Sequence, residues 1–206
     1  MKLYFAPGTC ALAPHIALNW VGAVYQAEQV ELNSDAYKKI NPSGTVPAFD
    51  AGSGSIKTQA GAILTYIADR YPQAALGADA DAESRFQLAE QMAFLTGDFH
   101  PAFWPFFSPQ RYTTSENESD LEKIRTASHA LVDRVMTKLD RQLGEHNGHV
   151  ALGRRTIADP YAFAMSRWAD YLPKKLSAYP AIRKFHDDMK EDPGVQAALA
   201  AHGITN

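Results

Sequence analysis

Residues 1–13 read Met1-Lys2-Leu3-Tyr4-Phe5-Ala6-Pro7-Gly8-Thr9-Cys10-Ala11-Leu12-Ala13. The apolar run Lys2–Phe5, closed by a Pro-Gly turn, predicts a short strand. Apolar residues then recur every four positions from Leu12 to Trp20, which predicts a helix. Cys10 therefore lies at the predicted start of that helix, where amide groups and the positive end of the helix dipole would stabilise a thiolate. Because a lone cysteine is also common as a small buried residue, its position alone leaves both roles open.

The following stretch continues to alternate strand and helix patterns. Tyr25–Leu32 alternates as a strand does, and Val46–Phe49 and Ser55–Lys57 are short runs joined by a glycine-containing loop. Ala60–Tyr71 then shows helical spacing, and Pro72 ends the pattern. The predicted order is β-α-β-α-β-β-α. We expect parallel pairing between strands that a helix separates, and an antiparallel hairpin at the edge.

The second half of the chain has a different pattern. Residues 74–82 are rich in Ala, Gly and Asp and predict a linker between a first domain, residues 1–73, and a second, residues 83–206. The second domain is predicted to be an all-helical bundle. Its apolar residues recur at helical spacing in Leu88–Phe99, Leu121–Leu143, Thr156–Tyr171 and Tyr179–Met189.

Composition narrows the class of protein. The 206 residues carry a net charge of -3, which does not suggest the basic face that nucleic-acid binding requires. No apolar run is long enough to span a bilayer, and Pro7 and Pro14 interrupt the stretch that a signal peptide would need. The single cysteine excludes an internal disulfide and suits a cytoplasmic protein. His146 and His149 share a loop but lack further ligands for zinc, so no metal is expected.

Two other features of the first domain are compatible with a bound ligand. In Asn41-Pro42-Ser43-Gly44-Thr45-Val46-Pro47, the last proline lies at the start of a strand. The ladder donor that it removes leaves neighbouring backbone groups available to an extended ligand. Thr58-Gln59-Ala60 opens the third helix, whose free amide groups would bind a carboxylate. Each feature alone also fits an ordinary turn or a solvated helix start.

Together these motifs resemble the glutathione transferases, and Pro7-Gly8-Thr9-Cys10 is similar to the Pro-Gly-x-Cys of the bacterial beta class. The resemblance covers the whole chain, because Gly153–Asp159 matches the family's helix-capping motif. There Thr156 would cap an amide of the first helical turn and Asp159 would bond the Thr156 amide, which is a structural role. The resemblance implies an α/β thioredoxin-like N-terminal domain followed by an all-α domain, and a homodimer.

The resemblance also implies a site in which glutathione extends across the first domain, with its sulfur beside two catalytic residues, Cys10 and His100. His100 shares a helical face with Ala93 and Thr96, and these small residues leave space beside its ring. Asp98 would reach the ligand of a neighbouring subunit. The residues expected to bind glutathione are Cys10, Val46, Pro47 with a cis peptide bond, Gln59, Ala60, Asp98 and Lys38.

Some of these positions depart from the family pattern. Gln59 and Ala60 stand where many members have Glu and Ser, which removes a negative charge and a hydroxyl donor near the γ-glutamyl end of glutathione. The lysine that meets the glycine carboxylate has no clear counterpart, and Lys38 is the nearest. These departures bear on the affinity for glutathione more than on the fold.

Aromatic residues of the second domain would line the site for the other substrate. The expected lining residues are Phe103, Trp104, Phe107 and Trp168, although aromatic clusters are more often part of a core.

The leading functional hypothesis is a detoxifying transferase that conjugates reduced glutathione to small hydrophobic electrophiles. A cysteine can also form a mixed disulfide, so a glutathione-dependent thiol–disulfide or peroxide reductase is the second hypothesis. A non-catalytic ligand-binding member of the family is the third. Glutathione would be a co-substrate, and neither nucleic acid nor a membrane is an expected partner.

Overall fold

A mixed four-stranded sheet forms the centre of the first domain in the computed structural model, which describes residues 1–204. Its strands are β1 (Lys2–Phe5), β2 (Gln26–Gln29), β3 (Ala48–Asp50) and β4 (Ile56–Thr58). In space they follow the order β2-β1-β3-β4, with β1 parallel to β2. The hairpin of β3 and β4 is antiparallel, as predicted.

Three helices, α1 (Leu12–Trp20), α2 (Asp35–Lys38) and α3 (Ala60–Arg70), complete this domain. The predicted order β-α-β-α-β-β-α is confirmed. The prediction of parallel pairing is right for β1 with β2 but wrong for β3, which follows a helix and yet runs antiparallel to β1. Because α2 rises only about 6 Å along its axis, it is not a crossover helix that returns the chain to the start of the sheet.

The described part of the second domain consists of helices and turns, as predicted; its last two residues lie outside the described range. The helices are α4 (Ala82–Ala93), a π-helical segment (Phe94–Phe99), α5 (His100–Ala102), α6 (Trp104–Phe107), α7 (Glu118–Glu145), α8 (Ala158–Ser166), α9 (Pro180–Lys190) and α10 (Pro193–Ala201). Shorter 3-10 turns lie at Pro109–Arg111, Arg167–Tyr171 and Leu176–Ala178, and another, Pro72–Ala74, follows α3 at the end of the first domain. Within residues 1–204, no helix is both long and apolar enough to cross a bilayer.

One hydrophobic core runs through both domains and holds them in a fixed relation. Helix α1 packs against α3 of its own domain and against α8 and α10 of the second. The sequence patterns did not predict α10, which is anchored to the end of α1 by two side-chain hydrogen bonds. Asn19 Nδ2 donates to the Gly194 carbonyl at 2.8 Å, and Trp20 Nε1 donates to Asp192 Oδ1 at 2.8 Å.

The connection between the domains is pinned to the second domain. Residues 75–81 contain neither helix nor strand. The Arg154 guanidinium donates to the carbonyl oxygens of Ala75 and Gly77 at 2.6 and 2.9 Å, and it pairs with Asp79 at 3.1 Å. Leu76 is 2% exposed, so the connection is part of the packed structure.

The capping motif contains both predicted contacts. Asp159 Oδ2 accepts from the Thr156 amide at 2.6 Å, and Thr156 Oγ1 accepts from the Ala158 amide at 3.2 Å. The other Asp159 oxygen accepts from the Val150 amide at 3.0 Å. Since Asp159 and Thr156 are both fully buried, this carboxylate satisfies backbone donors that no water could reach.

Candidate active site

A cleft of about 770 Å³ lies where the two domains meet. The first domain contributes the residues around Cys10, the loop that ends at Pro47, and the start of α3. The second contributes the segment from Met92 to Arg111 and two side chains from α8 and the following turn. The cleft therefore brings together the three features of the first domain that the sequence singled out, and it adds an aromatic wall.

Cys10 lies in the turn before α1 and is half-buried. Its Sγ donates to the carbonyl oxygen of Val46 at 3.5 Å, which joins the helix start to the proline loop. Burial raises the pKa of the Cys10 thiol to about 12. The neutral thiol is therefore favoured, contrary to the expectation that the helix start stabilises a thiolate.

The amide groups near Cys10 explain this outcome. The Ala11 amide donates to Thr9 Oγ1, and the Leu12 amide donates to the Thr9 carbonyl at 3.1 Å. The Ala13 amide donates to the carbonyl of Cys10 itself at 3.1 Å. These amides are already satisfied by neighbouring oxygens. Desolvation therefore decides the protonation of the sulfur, although the amide of Cys10 itself favours the thiolate to a smaller extent.

His100 begins α5 and faces the cleft from the second domain. Its ring contacts the indoles of Trp104 and Trp168, with centroid distances of 5.6 and 5.2 Å. Its Nδ1 is 2.9 Å from the hydroxyl of Tyr161. Burial lowers the pKa of His100 to about 4, so the imidazole is neutral at physiological pH.

The π-helical segment Phe94–Phe99 sets the direction in which His100 points. The sequence predicted a continuous α-helix to Phe99, but a π-helix has more residues per turn and so rotates every side chain that follows it. Thr96 and His100 still line the cleft. Gly61 of α3 allows the close approach of this segment, because a Cβ there would lie 2.9 Å from the Thr96 methyl group.

Tyr161 is a site residue that the sequence analysis missed. It lies on α8, is 3% exposed and lines the cleft beside His100. Within residues 1–204, its hydroxyl has one hydrogen-bond partner, the His100 ring. Burial, with a smaller contribution from Cys10, raises the pKa of Tyr161, which keeps the phenol protonated. The available signal was a tyrosine on a largely apolar helix, since a buried tyrosine needs a partner for its proton.

The residues expected to meet glutathione's backbone and γ-glutamyl end also line the cleft. The Val46–Pro47 peptide bond is cis, as the resemblance implied. Gln59 precedes α3 with a φ of 73°, a conformation that is uncommon for a residue with a side chain. Such backbone strain clusters at ligand sites, and Gln59 and Ala60 both line the cleft.

Other expected site residues do not line the cleft. Lys38 ends α2 and is exposed, and Asp98 is exposed on the π-helical segment; neither belongs to the cleft wall of this chain.

Of the four aromatic residues expected at the acceptor site, two form the cleft wall and two lie behind or beside it. Trp104 and Trp168 line the cleft, and Trp168 Nε1 donates to the Gly8 carbonyl at 2.9 Å. Phe103 is completely buried and packs against Trp168 at 5.7 Å between ring centroids, so it supports the wall and does not form it. Phe107 is 44% exposed and contacts Trp168 from outside the cleft. Phe103 and Phe107, which were expected to line the site, are therefore not part of the cleft wall.

Two family models match the chain. The one described as "Glutathione S-transferase, N-terminal domain" matches residues 1–69, and the one described as "Glutathione S-transferase, C-terminal domain" matches residues 98–202. The chain belongs to the glutathione S-transferase family.

Individual relatives of this glutathione transferase agree with that assignment. Glutathione S-transferase GST-4.5 of Xanthomonas campestris is 35% identical over 99% of this chain and 100% of its own length. A beta class glutathione S-transferase of Sphingomonas chungbukensis has a structure that matches with a TM-score of 0.87 and 36% identity over 100% of both chains. A sphingomonad enzyme solved in complex with glutathione matches equally well, with a TM-score of 0.87 and 36% identity over 100% of both chains. The predicted thioredoxin-like fold and beta-class resemblance are confirmed.

No group of three or more histidine, cysteine or acidic side chains that could hold a metal ion is present in residues 1–204.

Proposed function

We propose that this enzyme conjugates reduced glutathione to hydrophobic electrophiles, with glutathione lying in the first-domain side of the cleft. The observation that carries the proposal is the meeting of Cys10, the cis-Pro47 loop and the start of α3 with His100 in one cleft. A sphingomonad relative of the same fold was solved with glutathione bound, which supports the same ligand here.

The backbone of Val46 is suited to pair with the cysteinyl part of glutathione, because the following proline leaves the loop edge open. The γ-glutamyl carboxylate is suited to the start of α3, where the amides at Gln59 and Ala60 and the helix dipole favour an anion. The neutral side chain of Gln59 cannot form an ion pair with the ammonium group of the ligand. We infer that backbone donors, more than charged side chains, bind this end of glutathione.

His100 acts, in this proposal, as a hydrogen-bond donor to the sulfur of glutathione. We assign the buried Tyr161 hydroxyl as the donor, because Nδ1 of His100 is its one partner in the described chain. Nδ1 then accepts, so the proton of the neutral imidazole is on Nε2. An Nε2–H group directed at the sulfur stabilises the thiolate as a hydrogen-bond donor. His100 does not act as the base that takes the proton from the thiol.

The electrophile would lie against the indoles of Trp104 and Trp168, which form the wall next to His100. Flat aromatic side chains favour flat apolar substrates. We further propose a cytoplasmic homodimer in which the exposed Asp98 reaches the glutathione of the partner subunit. Light scattering tests the dimer, and a monomer would exclude this role for Asp98.

A glutathione-dependent thiol–disulfide reductase is the second candidate. The Cys10 thiolate would attack oxidised glutathione, forming a mixed disulfide and releasing one glutathione thiolate. Cys10 lines the cleft, which supports this step, but the raised pKa of its thiol makes the thiolate scarce. We therefore rank reduction below conjugation, and a non-catalytic binding role below both.

One experiment separates these functions. Conjugation rates with several aromatic electrophiles are measured for the wild type and Cys10→Ala, and intact mass is recorded after incubation with oxidised glutathione. We expect conjugation to persist in Cys10→Ala, and a single reducible adduct on the wild type alone, since Cys10 is the only cysteine. No conjugation by a folded wild type that also fails to bind glutathione would refute the transferase proposal. Loss of conjugation in Cys10→Ala would instead make the thiol essential.

A further inference from the structure

Arg111 is the one side chain with a formal charge at neutral pH among the described residues that line the cleft. Cys10 and Tyr161 are protonated there and His100 is neutral, because burial opposes the charged form of each. Arg111 ends the 3-10 turn Pro109–Arg111 of the second domain, on the side of the aromatic wall. The electrostatic character of the acceptor side of the cleft therefore depends on this guanidinium.

The guanidinium of Arg111 lies over the Trp104 ring, with its central carbon 5.1 Å from the ring centroid. This stacking orients the planar cation along the cleft wall. Within residues 1–204, the Arg111 side chain has no ion pair and no hydrogen bond, whereas Arg125 and Arg154 are both paired with carboxylates. Its donors are therefore available to a ligand.

The position of Arg111 sets the size of a ligand that could reach both the guanidinium and His100. Trp104 lies 5.6 Å from the His100 ring and 5.1 Å from the guanidinium carbon, so these two groups are at most about 11 Å apart. A single substituted aromatic ring with an anionic group fits within that span. Its ring would face the indoles while its anionic group meets the guanidinium fork.

We propose that Arg111 selects acceptor substrates that carry a carboxylate on a flat aromatic or conjugated body. This inference rests on the proposed function, in which the aromatic wall receives the electrophile. Glutathione also carries carboxylates, but its γ-glutamyl carboxylate is assigned above to the start of α3, in the first domain. Binding of glutathione's glycine carboxylate by Arg111 is the competing outcome that the experiment must detect.

The test measures binding without turnover. Unreactive 3,5-dinitrobenzoate and its neutral counterpart 3,5-dinitrobenzamide are titrated into the wild type, Arg111→Gln and Arg111→Lys, with quenching of tryptophan fluorescence and calorimetry as readouts. We expect Arg111→Gln to weaken benzoate binding about five- to tenfold and to leave benzamide binding unchanged. Arg111→Lys should recover part of the loss, because it keeps the charge but not the planar fork.

Arg134→Gln is the matched control. Arg134 is exposed on α7 and lies outside the cleft, and its substitution changes the net charge by the same amount as Arg111→Gln. It should bind both ligands as the wild type does. Equal affinity of the wild type for benzoate and benzamide would overturn the proposal.

A separate titration with glutathione distinguishes the two sources of the carboxylate. If Arg111→Gln weakens glutathione binding and leaves the benzoate preference intact, the guanidinium binds glutathione and the proposal is overturned. Because the titrations need no reaction, they also separate this inference from the proposed function. A wild type that prefers benzoate through Arg111 but neither binds nor conjugates glutathione would refute only the transferase role.

Discussion

Replacing Tyr161 with Phe tests how the cleft controls the sulfur of glutathione. The substitution removes one hydroxyl and keeps the ring, which packs edge-on against the His100 ring at 6.0 Å between centroids. It deletes the 2.9 Å hydrogen bond to Nδ1, so that nothing from Tyr161 holds the imidazole proton on Nε2. We expect His100 to become a weaker donor to the thiolate.

The size of the effect follows from the energy of one neutral hydrogen bond, about 0.5–1.5 kcal/mol net. Since one pKa unit corresponds to about 1.4 kcal/mol, the pKa of the bound glutathione thiol should rise by about 0.4 to 1 unit. At a pH below that pKa, the thiolate fraction and kcat/KM then fall about three- to tenfold. At a pH well above it, the two enzymes should have similar rates.

Three measurements check this prediction. The acid limb of the pH profile of kcat/KM gives the shift, thiolate absorbance of the glutathione complex reports the same pKa directly, and nitrogen NMR of His100 reports the tautomer. Tyr179→Phe is the matched control, because Tyr179 is also 3% exposed and donates its hydroxyl proton to Asp133, outside the cleft.

The reasoning would be refuted by an Nδ1–H tautomer in the wild type, or by a pH profile that Tyr161→Phe leaves unchanged. A shift of equal size in Tyr179→Phe would also count against it, because a general loss of stability would then explain both variants.

Two further predictions concern the fold. Asp159→Ala should lower the free energy of unfolding by about 3 kcal/mol or more, because it leaves the buried amides of Val150 and Thr156 without a hydrogen-bond acceptor. Urea denaturation measures this loss, and a value below about 1 kcal/mol would contradict the prediction. Burial lowers the pKa of His15 to about 4 and that of His202 to about 3, whereas a histidine in an unfolded chain has a pKa of about 6.5. Because the unfolded chain binds these protons more readily, the folded state is fully stabilised above about pH 6.5 and loses this stability as the pH falls toward about 4. The unfolding free energy should fall by up to about 2 kcal/mol per histidine from pH 6.5 to 5, and His202→Phe should flatten this slope; an unchanged slope would exclude the pair as its cause.

Local sequence signals predicted the framework of the first domain. A strand, a Pro-Gly turn and a helix follow from neighbouring residues, so Cys10 was correctly expected next to the start of α1. The capping contacts of Thr156 and Asp159 involve residues three apart and were equally readable. The direction of β3 could not be predicted in this way, because it depends on how the chain returns after α2 and not on the composition of the strand.

The aromatic cluster shows where helical periodicity stops being informative. The sequence identified Trp104 and Trp168 as part of the cleft, but it also included Phe103 and Phe107. The π-helical segment before them rotates the following residues, and no pattern in Phe94–Phe99 announces it. Tyr161 was missed because helical periodicity describes only near neighbours, whereas its hydrogen-bond partner His100 is 61 positions away along the chain.

The sequence by itself determined the family, the two-domain fold and the presence of a thiol and an imidazole suited to glutathione chemistry. Only the tertiary structure decided their protonation states and the direction of the His100 ring. A pKa depends on how much water surrounds a group, and that is set by the shared core that brings α1, α8 and the π-helical segment together. Desolvation from residues distant in sequence therefore holds Cys10 as a thiol and His100 as a neutral imidazole.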